Sequence, residues 1–73
     1  MKARILASEL PPPGENYDIL LPIDFDLATR LTSGDEIIMP KGFNERGLVF
    51  VIWQKIYNLD ADTITLYCIP APA

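Results

Sequence analysis

The chain has no histidine and a single cysteine, Cys68, among its 73 residues. The missing histidine removes the side chain that most often moves protons or binds transition metals near neutral pH. One cysteine rules out an internal disulfide and, with no histidine, leaves a zinc site within one chain short of its usual nitrogen and sulfur ligands. With no imidazole to activate it, Cys68 reads as a small buried hydrophobe rather than a reactive thiol. An unpaired cysteine suits a reducing compartment, so the expected location is the cytoplasm. Basic residues are scarce: six Lys and Arg against ten Asp and Glu give a net charge of −4. This acidic balance disfavours non-specific attraction to DNA, RNA or anionic lipid. No stretch approaches the roughly 18 apolar residues of a membrane helix. The opening "MKARILASEL" lacks the unbroken apolar segment of a signal peptide.

What is present is enough for one small globular domain. Apolar residues make up 49% and charged residues 22%, a balance typical of a folded chain. A domain this short buries only roughly 60% of its unfolded surface, so its core is thin and burial by a partner would matter. Residues 1–70 read as the domain and the "APA" of 71–73 as a frayed tail. "PPPG" at 11–14, "SGD" at 33–35 and "PKGFNERG" at 40–47 read as breaks and loops between short segments.

The segments alternate in polarity. Ala3, Ile5 and Ala7 face one way in a weak pattern over 2–10, with Lys2, Arg4 and Ser8 opposite. Over 16–25, Tyr17, Ile19, Leu21, Ile23 and Phe25 share one face of a half-buried strand. Pro22 has no amide hydrogen, which places that strand at an edge or at a bulge. "EIIMP" at 36–40 forms a third strand with Ile37 and Met39 inward. "DLATRLTSG" at 26–34 predicts one short helix capped by Asp26 and closed by Gly34, docking through Leu27 and Leu31.

The last two strands form a hairpin around "LDADT" at 59–63. Setting Leu59 opposite Thr63 brings Ile56 to Leu66 and Gln54 to Cys68 on an inner face. On the outer face it brings Tyr57 to Thr65, Lys55 to Tyr67 and Trp53 to Ile69. A slip by one residue opposes Ile56 to Thr65 and mixes the faces, so the first register with a three-residue loop is preferred. Five short strands and one helical turn predict an all-β fold, a small five-stranded, partly open barrel of the SH3-like kind.

"LVFVIW" at 48–53 is apolar on both faces, which leaves the outer face of the hairpin in need of cover. Val49, Val51, Trp53, Lys55, Tyr57, Tyr67 and Ile69 are the candidate interface there. Either the chain covers this face itself, by the proline-rich loop, the helix or the tail, or a partner does. Trp and Tyr are the residue types that anchor such contacts, and a homodimer needs only one self-complementary patch. The competing expectation is a single-stranded nucleic-acid-binding module. There bases stack on Trp53, Tyr57 and Tyr67 beside Lys55, with Lys2, Arg4, Lys41 and Arg46 extending a basic track.

Other chemistry finds little footing. "DFD", "DE" and "DAD" at 24–26, 35–36 and 60–62 supply two carboxylates each, short of the six or more oxygens a hard cation needs. Ser8 and Ser33 have no histidine partner, and "PKGFNERG" lacks the spacing of a phosphate-binding loop. The acids sit in turns rather than in a line, which argues against a mimic of DNA. The expectation is a non-enzymatic protein-interaction module without catalytic residues, metal or cofactor.

Overall fold

A computed structural model describes residues 1–10, 13–14, 16–40, 42 and 47–71. The strands are β1 (Lys2–Ala7), β2 (Ile19–Ile23), β3 (Glu36–Ile38), β4 (Val49–Asn58) and β5 (Thr63–Pro70), with one helix, α1 (Phe25–Arg30), between β2 and β3. They form one mixed sheet in the order β2-β1-β5-β4-β3, curled into a half-barrel. β1 runs parallel to β5, and every other pairing is antiparallel. The fold is all-β with one short helix, an open small barrel.

Alternation sets the faces. Ala3, Ile5 and Ala7 are buried on the concave side, together with Phe50, Ile52, Ile64, Leu66 and Cys68. Ile19, Leu21 and Ile23 of β2 and Ile37 of β3 pack on this core from the two ends of the sheet, and Met39 is buried with it. Pro22 lies in β2, and β2 is an edge strand, where a missing amide hydrogen breaks no ladder.

The helix differs from expectation in its start, its stop and its contact. Its N-cap is Asp24, whose Oδ2 accepts from the Leu27 amide at 3.3 Å; Asp26 instead lies in the first turn. Gly34 does not close it. That residue, at φ +98°, belongs to the next turn, in which the Thr32 amide donates to Asp35 Oδ2 at 2.9 Å. Ala28 is fully buried, Leu31 packs partly on the core, and Leu27 is left 43% exposed. A six-residue helix is too short to hold itself, so close approach through the small Ala28 fixes it to β1 and β5.

The hairpin also departs from the even register. Val51 pairs with Ile69 and Ile52 with Cys68, but the next pair is Gln54 with Tyr67. Trp53 is an extra residue, a β-bulge. Beyond it Lys55 faces Leu66, Ile56 faces Thr65 and Tyr57 faces Ile64, the slipped pairing that even alternation disfavours. The loop has four residues, 59–62. Asn58 Oδ1 accepts from the Ala61 amide at 3.0 Å, and Asp62 takes φ +56°, a left-handed conformation that Asp tolerates. One added residue reverses the facing of everything beyond it, so Ile56 turns outward at 39% exposure. At the far end, the Ala71 amide donates to the Val49 carbonyl at 2.8 Å.

If Asp24 caps α1, Asp24→Ala should lower stability by about 1 kcal/mol. Asp26→Ala, which removes only a charge near the helix start, should cost a few tenths (roughly 0.3 kcal/mol). The shift in the urea midpoint measures both.

Candidate protein-interaction surface

The bulge divides the seven residues expected on one outer face. Val49, Val51, Trp53, Tyr67 and Ile69 remain on the convex side; Lys55 and Tyr57 pass to the concave side, opposite Leu66 and Ile64. There the Lys55 Nζ donates to the carbonyl of Leu31 at 3.0 Å and to that of Thr29 at 3.4 Å. An ammonium at these positions satisfies carbonyls that the end of α1 leaves without helical partners and meets the negative end of its dipole. The same Nζ lies 5.1 Å from the centre of the Tyr57 ring. Lys55 is thus a clamp between β4 and α1.

The convex side gains an aromatic that alternation placed inside. Tyr17 precedes β2, and the Asp18 amide donates to the Asn16 carbonyl at 2.9 Å, closing a tight turn about it. The turn sends the Tyr17 ring onto Tyr67, edge to face with centroids 5.2 Å apart. Tyr17 Oη accepts from Trp53 Nε1 at 2.6 Å, and the Trp53 and Tyr67 rings lie 6.4 Å apart. Ser8 holds this arrangement from below. It is buried, although alternation set it among the outward residues, and its Oγ accepts from the amides of Asn16 at 2.7 Å and Leu10 at 3.1 Å.

The chain therefore covers part of its own outer face. Tyr67 is partly sheltered by Tyr17, whereas Trp53 stays 43% exposed. From Trp53 the apolar surface continues through Val51 and Val49 to Ile38 at the β3 edge, which is 70% exposed. Arg4 lies on the same convex side, on β1 beside β5, and its Nε donates to Thr65 Oγ1 at 3.2 Å. The proposed basic track also needs Lys41 and Arg46, which lie outside the described residues.

Two further features bear on chemistry. An apolar cleft of about 420 Å³ opens between the sheet edges, lined by Leu21, Ile23, Leu31, Ile37 and Met39 among others. Its charged lining residue, Asp24, is committed to capping α1. Burial pushes the Cys68 thiol up from 9.0 to about 12, so it stays protonated and unreactive near neutral pH. Among the described residues, no three carboxylate or thiol side chains gather into a metal-holding group, and no helix is long and apolar enough to cross a membrane. Comparison with known protein families, with curated proteins and with solved structures gives no match.

Two outcomes follow. Ser8→Ala leaves two amides without their acceptor and should cost about 1–3 kcal/mol. It should also shift Trp53 fluorescence to the red as Tyr17 loosens. For Cys68 the folded chain keeps the neutral thiol while the unfolded chain ionises, so stability is lost as pH rises from 9.0 towards 12. Urea midpoints across that window should fall more steeply for the wild type than for Cys68→Ala.

Proposed function

We propose that this chain is a non-enzymatic protein-interaction module that associates with itself through its convex apolar face. The observation that carries the reading is Trp53. It stays on the convex side at the bulge, Tyr17 fixes its indole N–H, and 43% of its surface is still open to water. Val49, Val51, Tyr67 and Ile69 surround it on the same face. Aromatic anchors held rigid at the centre of an apolar patch carry most of the energy in protein contacts. A thin core adds motive, since a domain of this size leaves much of its apolar surface unburied. A second copy is the simplest partner, because a two-fold contact needs one patch rather than two. The free, protonated thiol of Cys68 suits a reducing compartment, which agrees with a cytoplasmic location.

The nucleic-acid reading is less well supported. It needs a cation free to sit beside Trp53 and Tyr67, and Lys55, which lies by the Tyr57 ring, is on the concave side and donates to the end of α1.

Sedimentation tests this. The wild-type chain should run as an assembly, and Trp53→Asp should halve its mass while leaving circular dichroism unchanged. A wild type and variant that both run as monomers would contradict the reading.

A further inference from the structure

Among the described residues the sheet ends in two unpaired edges, β2 and β3, and they are not equivalent. Along β1, the Lys2 amide donates to the Asp62 carbonyl and the Ser8 amide to the Cys68 carbonyl. The even-numbered residues of β1 therefore bond towards β5, and the odd-numbered ones towards β2. Pairing of Ile5 with Leu21 and of Arg4 with Pro22 then leaves Leu20 and Pro22 pointing off the free edge of β2. Pro22 has no N–H to offer there, so this edge is blunted.

Among the described residues the β3 edge carries no proline. The Ile52 amide donates to the Asp35 carbonyl, and the Ala71 amide donates to the Val49 carbonyl on the other side of β4. Phe50 and Ile52 thus bond towards β3, and Val49 and Val51 towards β5. In β3 it is Ile37 that bonds back to Phe50, while the N–H and C=O groups of Glu36 and Ile38 point outward. Among the described residues no strand pairs with this edge.

We propose that two copies of this chain also join edge to edge through β3, in a contact separate from the convex face. A two-fold axis at Ile37 sets Glu36 opposite Ile38 of the second copy, and Ile38 opposite its Glu36. Four backbone hydrogen bonds form, and the two carboxylates never face one another. The pairing is self-complementary in hydrogen bonding and sets no like charges directly opposite one another. It also draws cover over Ile38, whose side chain is 70% exposed and continues the convex patch through Val49. Because Pro22 blunts the opposite edge, the contact closes at two copies instead of growing into a fibre. Where both contacts form with their two-fold axes crossing at right angles, the assembly closes as a tetramer, a pair of ten-stranded sheets stacked by their convex faces.

The experiment is sedimentation of four proteins. Ile38→Pro removes one outward amide and no bond to β4, just as Pro22 does in β2, so the fold should persist by circular dichroism. The wild type should be a tetramer, Trp53→Asp and Ile38→Pro each a dimer, and the double variant a monomer. As an independent check of register, Ile37→Cys should form a disulfide between copies under mild oxidation, while Asp60→Cys, exposed in the hairpin loop and outside both contacts, should not. A Trp53→Asp chain that is monomeric overturns the edge contact and leaves the convex-face reading standing. A dimer dissolved by Ile38→Pro but untouched by Trp53→Asp keeps the edge and overturns the convex face. Failure of Ile37→Cys to cross-link overturns the edge, and a monomeric wild type overturns both.

Discussion

One inserted residue, Trp53, decides which way the second half of β4 faces. Side chains in a strand alternate with period two, so an extra residue on one strand of an antiparallel pair reverses the facing of all that follow. Before the bulge, Phe50 and Ile52 fill the core. Beyond it, the positions facing Leu66 and Ile64 are taken by Lys55 and Tyr57. An ammonium in a concave apolar face would be costly if it ended there unpaired. It does not, because the C-terminal carbonyls of α1 lie within reach. The bulge, the lysine and the helix form one device. The shift delivers the cation, the cation closes the helix, and the helix caps the concave side.

The same shift shapes the convex face. Trp53 keeps its outward place, while Lys55 and Tyr57 are withdrawn and Gln54 and Ile56 turn outward instead. A second device partly offsets that exposure. Ser8 fixes Asn16, the tight turn after Asn16 aims Tyr17, and Tyr17 shelters Tyr67 and engages the indole N–H of Trp53. Shelter stops at Trp53, and the surface from there to Ile38 stays open. Rigid, partly exposed aromatics lose little conformational freedom on contact, which favours their use as anchors.

Much of the fold was legible because polarity alternates cleanly where one face is wet. Ile19, Leu21 and Ile23 declared an inward face, and Pro22 declared an edge or a bulge, of which the edge is found. Ile37, Met39 and Cys68 were placed inside, as found. The hairpin was not legible, for a physical reason. "LVFVIW" is apolar at both parities, so burial cannot choose between registers, and the decision falls to a bulge and a four-residue loop. Nor could sequence spacing show Lys55 meeting carbonyls more than twenty residues away. Tyr17 was misassigned because alternation was carried past the end of the strand, into a turn that breaks it. Asp24 and Asp26 are both plausible caps by type, and only backbone geometry separates them.

The bulge is therefore where the account is most exposed. Cross-strand contacts between Hα protons, read by nuclear Overhauser spectroscopy, report it directly, because non-hydrogen-bonded pairs bring α-carbons within roughly 4.5 Å. Strong contacts are expected between Lys55 and Leu66, between Tyr57 and Ile64, and between Ile52 and Cys68. Contacts of Ile56 with Leu66 and of Gln54 with Cys68 would mean an unbroken ladder, with Lys55 back among the convex aromatics, and would contradict the account.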